Sequence, residues 1–243
     1  MLASYFSQRI NRLIRLKINV IVSALFCLGL FAIVFTILII QVQAGTAAYL
    51  SGLSLWSKGQ IESVRKSEIY AQTGEISLLQ QARFGYQVPL GDLNARQMME
   101  LEQPDYKAAV QGFLQGGNHP DDIQRMIWLF RLFQNAPYFR DAIDAWRATD
   151  QLLLKLGLVI DSLERTWQKP EVEHSELVSL RIELTQLDDK LARHAVVFRN
   201  KMNLASRALA NILSVTTIIF FGLLSSIASL LIIKMIATIR SSE

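Results

Sequence analysis

The sequence predicts an all-α protein, in which two transmembrane helices flank an antiparallel helical bundle of about four helices. Three observations predict it. Two long stretches carry no charge, apolar residues between them recur in heptads, and nothing in that region reads as a run of strands.

The first uncharged stretch runs from Ile18 to Ile40 (INVIVSALFCLGLFAIVFTILII) and spans 23 positions. As a helix it is about 35 Å long, enough to cross a hydrocarbon core with some tilt. The second runs from Ala208 to Ile233, with its most apolar part at 212–233. Only a helix satisfies its own backbone polar groups in lipid, so both read as spans. A secretory signal is the rival for the first, with Val42-Gln43-Ala44 as a cleavage site, but its uncharged run far exceeds a signal core. Cys27 lies inside that span and is the chain's single cysteine, so no intrachain disulfide is expected.

Charge orients the spans. Residues 1–17 hold Arg9, Arg12, Arg15 and Lys17 and no acid, and Lys234 and Arg240 follow the second span ahead of Glu243. Both tails, 1–17 and 234–243, are therefore placed in the cytoplasm by the positive-inside rule. Arg199, Lys201 and Arg207, just before the second span, argue the other way. A segment as long as 41–211 translocates largely regardless of its charge, so the tails decide. Of 25 Lys+Arg and 21 Asp+Glu, 19 and 20 remain once the tails are removed, so the net charge of +4 belongs to the membrane-facing ends. The bilayer is the expected partner of that charge, and nucleic acid is not.

Beyond the first span, Val42, Tyr49 and Trp56 recur every seven residues, with Leu53 beside them, and extend the helix to about Thr73. Ala44, Ala48 and Gly52 form a small-residue row that permits close approach of another helix. Gly85, Pro89, Gly91, Pro104, Gly112, Gly116, Gly117 and Pro120 are the main concentration of helix breakers. They predict short helices near 75–87, 94–115 and 120–134 joined by ordered loops. Asn118-His119-Pro120-Asp121-Asp122 reads as a helix start. Over 138–169, Ala142, Trp146, Thr149, Leu153, Leu156, Ile160, Leu163 and Trp167 alternate steps of four and three, a bundle seam ended by Pro170. Leu177, Leu180, Leu184, Leu187, Leu191, His194 and Phe198 repeat the pattern. No breaker separates them from the second span, so 171–233 is expected as one helix of about 95 Å.

Three segments carry a resemblance: FGYQVPLGDLNAR (84–96), GFLQGGNHPDD (112–122) and LFRLFQNAPYFRDAIDAWRATD (129–150). They resemble the extracytoplasmic input region of bacterial membrane-bound sensor proteins. Such proteins continue after their second span into PAS, diguanylate cyclase/phosphodiesterase or histidine kinase modules. Ile239-Arg240-Ser241-Ser242-Glu243 looks like the joint leading into one. The resemblance implies a signal-input module in the bacterial inner membrane, multi-pass, with 41–211 in the periplasm as the sensor domain.

Enzymatic chemistry finds no motif. Outside the span there is no cysteine, and neither a Gly-x-Ser-x-Gly elbow, a phosphate-binding loop nor a HExxH pair occurs. His119, His174 and His194 are too far apart in sequence to point to a metal site. No catalytic residue, metal or cofactor is expected. The expected ligand-binding group is Arg83, Tyr86, Asp92, Arg96, His119, Asp121, Asp122 and Arg125, with Tyr138 and Arg140 opening the next helix. Polar groups gathered by ordered loops on a rigid bundle are a common way to build a small-molecule site. The plainer alternative has the acids serving a helix end and the arginines as surface charges or loop ties. Trp146 and Trp167 belong to the seam. For the whole chain, the expected function is sensory input relaying a small ligand or a periplasmic protein, in a homodimer. The alternative is a two-span anchor or adaptor whose bundle docks an envelope protein.

Overall fold

The computed structural model describes residues 2–240, with side chains from 18 to 237 and at Arg240. The side chains of the basic residues before Ile18 and the joint residues Ser241, Ser242 and Glu243 lie outside the described residues. Among the described residues seven helices follow one another: α1 (Leu2–Thr73), α2 (Ile76–Glu100), α3 (Tyr106–Gln115), α4 (Pro120–Phe133), α5 (Pro137–Arg147), α6 (Asp150–Trp167) and α7 (His174–Arg240). The described residues contain no strand. The chain divides into two compact units, one of residues 1–41 with 209–243 and one of Val42–Ala208.

In the first unit, α1 and α7 are long and apolar enough to cross a membrane, with mean hydropathies of 2.8 and 2.3 over their most apolar windows. Many of their large side chains face outward, Val20, Phe26, Ile218 and Leu230 being about two-thirds exposed or more, while Ile21 is buried. Such a surface is unfavourable in water and suited to lipid. Phe220 of α7 packs on Phe31 and Phe35 of α1, at ring separations of 5.2 and 4.3 Å.

The second unit is built on four long helical stretches whose pairings fix their directions. Tyr49 of α1 lies 6.3 Å from Trp146, and Tyr70 lies 6.4 Å from Trp167, so α1 runs parallel to α5 and α6. α2 returns against α1, through the turn at Gly74, whose φ of +67° suits glycine. α7 returns against α6, with Trp146 on Phe198 at 5.8 Å and Lys155 Nζ 2.7 Å from Glu183. The result is an up-down-up-down bundle, with α3, α4 and α5 inserted between its second and third long helices. Its core unites Val64, Tyr70, Leu79, Leu93, Leu153, Leu156, Ile160, Leu163, Leu184, Leu187 and Leu191, all buried. Each such side chain contributes about 1.5–3 kcal/mol by leaving water.

Two features depart from the breaker pattern. The helices expected at 75–87 and 94–115 are instead one helix, α2, running through Pro89 and Gly91 to Glu100, and the break falls at 101–105. The glycines are contact points. A β-carbon on Gly91 would stand 2.6 Å from the Gly112 carbonyl, and one on Gly112 2.7 Å from the Ala95 nitrogen, so α2 and α3 meet backbone to backbone. α1 and α2 meet in the same way at Gly59 and Gly85. Pro89 leaves the Gly85 carbonyl without its helical donor, and that oxygen faces the Gly59 α-carbon, a position suited to a weak C–H···O contact.

The second departure is in the seam over 138–169, which is not one helix. α5 stops at Arg147 and α6 starts at Asp150. Thr149 donates its hydroxyl to the Trp146 carbonyl at 2.7 Å, and its own N–H bonds the same carbonyl at 2.9 Å, tightening one turn. The seam itself survives the break, with Ala142, Trp146, Thr149, Leu153, Leu156, Ile160 and Leu163 all buried.

Candidate functional site

The expected site residues separate into distinct places. Arg83 and Tyr86 share a surface groove of about 340 Å³ between α2 and α6, lined also by Gln87, Leu158 and Asp161. Gly157 of α6 leaves room for the Tyr86 hydroxyl, which a β-carbon would meet at 2.5 Å. Burial, then the Asp161 charge, push the Tyr86 phenol upward. Arg83 is committed within the protein: its guanidinium bonds Asp161 at 2.8 Å and Glu164 at 2.6 Å, tying α2 to α6.

Arg96, expected in the ligand-binding group or, in the plainer alternative, as a surface charge or loop tie, is 1% exposed. It donates to Glu100 at 2.6 Å and to Asp150 at 2.5 Å, and lies 5.5 Å from the Trp146 ring centroid. Arg147 reaches the same Glu100 at 3.1 Å. Taking a guanidinium out of water requires such partners, and here they join the end of α2 to the α5–α6 junction. This is a structural tie.

His119, Asp121, Asp122 and Arg125 stay together at the start of α4. His119 is the cap, its Nδ1 accepting the Asp121 N–H at 3.3 Å. Pro120 occupies the first turn, the two acids meet the positive end of the helix, and Arg125 pairs with Asp122 at 3.1 Å. Tyr138 and Arg140 are exposed at the start of α5.

Asp92 is the exception, since it points into the bundle. It is 4% exposed, and its Oδ1 accepts the Asn118 amide at 2.8 Å. The same amide donates to the Phe113 carbonyl at 3.1 Å, so Asn118 ties the α3–α4 turn to α2. Gly116 must be glycine, because a β-carbon would collide with the Asp92 carboxyl. Burial drives the Asp92 carboxyl well above its ordinary range, opposed by the Asn118 hydrogen bond.

Around Asp92 stand Tyr49, Trp56, Phe113, Met126, Trp146, Thr149 and Phe198, lining an internal cavity. The Tyr49 hydroxyl donates to the Met126 carbonyl at 3.1 Å, and burial followed by the Asp92 charge raises its phenol. Tyr49 meets Phe113, Phe139 and Trp146 edge-on at 5.8–6.5 Å, fixing the rings of one wall. Trp56, Tyr49, Met126 and Asn118 were not among the expected site residues. The signal available for them was the α2 face, where Ala82, Gly85, Pro89, Asp92 and Arg96 recur at helical spacing and put a carboxyl on an apolar stripe.

Among the described residues, no group of three or more His, Cys, Asp or Glu is placed to hold a metal ion. No family model matches the sequence, and no curated protein and no solved structure matches it.

Proposed function

We propose that this chain is the signal-input module of a bacterial inner-membrane receptor. In this reading the bundle lies in the periplasm, two spans hold it, and binding of a ligand or partner there is relayed to a cytoplasmic output module. The observation that carries the reading is that α1 and α7 each bear, in one unbroken helix, an apolar run and a bundle face. A change in how those two helices pack within the bundle therefore acts on the same elements that carry the apolar runs. Signalling needs an element with two arrangements that bind the stimulus differently, and packed helices that slide or turn are one known form. The likeness of 84–96, 112–122 and 129–150 to sensor input regions supports the same reading, and a homodimer is its natural assembly.

The test uses the polar link between α1 and α7. Gln60 is buried and donates to Asp188 at 2.6 Å. With the full chain fused to a diguanylate cyclase module, Gln60→Leu should leave helix content and membrane insertion intact and shift cyclase output severalfold. Output that ignores Gln60→Leu and other fold-preserving bundle substitutions, with an envelope protein co-purifying, would replace this reading by the two-span adaptor.

A further inference from the structure

The cavity beside Asp92 is lined mainly by aromatic rings and holds one acid. Tyr49, Trp56, Phe113, Trp146 and Phe198 supply the rings, and the space leaves about 20 Å³ for the centre of a water-sized sphere. That is room for a molecule of very few heavy atoms. The Met126 side chain, also in the wall, is the flexible part through which the space can widen.

The wall is not satisfied by the protein alone. Asp92 Oδ1 takes the Asn118 amide, and among the described residues no Lys, Arg or His pairs with the carboxyl. Burial without a counter-charge disfavours the ionised form of the Asp92 carboxyl, and a cation entering beside it favours that form again, the proton passing to solvent. Aromatic faces attract the same charge through their quadrupoles, and the cation already over the Trp146 ring, Arg96, is offset by Glu100 and Asp150. An anion would be repelled by Asp92, and a neutral apolar molecule would leave its carboxyl unmet. A multivalent metal ion would need further carboxylates than the cavity offers.

We propose that this cavity is a binding site for a small monovalent ammonium cation, of the size of methylammonium, held by the Asp92 carboxylate inside the Tyr49–Trp56–Trp146–Phe198 cage. The site names a stimulus for the receptor, and rests on the sensing reading for its effect on output but not for the binding itself.

The full chain, purified in detergent, is titrated with methylammonium chloride while tryptophan fluorescence is followed. Sodium chloride controls for ionic strength, and methanol for a neutral molecule of the same size. Methylammonium alone should give a saturable change. Asp92→Asn should weaken it at least tenfold, and Phe198→Leu, which keeps an apolar wall and removes one ring, severalfold. The proposal is overturned if wild type shows no saturable change, if sodium chloride or methanol acts equally, or if Asp92→Asn binds undiminished. Should Asp92→Asn not fold by circular dichroism, Phe198→Leu decides, and undiminished binding there overturns the cage. Saturable binding that leaves a fused cyclase unmoved would keep the site and remove it as the stimulus site of the receptor.

Discussion

At the scale of single residues, Arg83 and Arg96 show how burial sets the value of a charge. Both lie on α2 and both hold two carboxylates, but the Arg83 side chain is 45% exposed and Arg96 1%. Arg83→Ala should change stability by about 0–1 kcal/mol, the range of solvated ion pairs. Arg96→Ala removes the guanidinium paired with Asp150 and leaves Glu100 to Arg147 alone, and should cost about 3–5 kcal/mol. Thermal unfolding of the two variants side by side checks this, and equal effects would refute it. The difference is not legible in the sequence, where an arginine four residues from a glutamate reads as a surface pair whether or not a tryptophan covers it. Asp92 makes a second prediction at this scale. Its pKa is raised on folding, so the folded state holds the proton more tightly than the unfolded chain. Its own contribution to stability is then greatest below the ordinary carboxyl value of 3.8 and falls as pH rises from there toward the raised folded value. Asp92→Asn should flatten this decline and raise the melting temperature near neutral pH. A steeper decline in the variant would contradict the assignment.

The elements are held apart or together by very small side chains. α2 and α3 touch at Gly91 and Gly112, where a β-carbon would stand within 2.7 Å of backbone atoms of the other helix. Backbone cannot yield as a flexible side chain does, so Gly112→Val should cost about 1–3 kcal/mol or more. It should also speed hydrogen exchange across 106–115 before the rest of the bundle is affected. Unchanged exchange in α3 would show that the contact is not tight. Leu153, fully buried on α6, gives the contrasting case: Leu153→Asp should cost several kcal/mol and loosen the whole bundle. The heptad of α6 and the leucines of α7 were readable because burial repeats with the helical period. The α1 face beyond Trp56 was less so, because buried Gln60, Ser63 and Ser67 interrupt its buried Val64, Tyr70 and Ala71. Polar residues there carry no hydropathy signal, and their burial follows from small size and from Gln60 finding Asp188. The same ambiguity turned glycines that serve helix contact into apparent breaks.

For the molecule as a whole, what was most legible is what the solvent dictates. A helix facing lipid must be apolar all round, so its signal survives in any window of the sequence, and the outward-facing side chains of both apolar runs match it. The position of a ligand site carries no such signal, and the residues expected to share one are spread over the α2–α6 groove, the core, the α4 start and the α5 start. Topology joins the two levels, since a periplasmic stimulus requires the bundle to lie outside and both tails inside. The segment 101–105 is exposed along its length and joins α2 to α3, so an insertion at Gln103 disturbs no core contact. Alkaline phosphatase, active only after export, should be active when inserted at Gln103 and inactive when fused beyond Arg240 or ahead of Met1. Green fluorescent protein fused at the two ends should give the complementary result. Phosphatase activity at a terminus would place that tail outside, against the basic residues that flank the spans. Activity at both ends, or at the N-terminal end alone, would put the bundle and its Asp92 cavity in the cytoplasm, beyond an external stimulus, whereas activity at the C-terminal end alone would leave the bundle outside with only the first apolar run crossing.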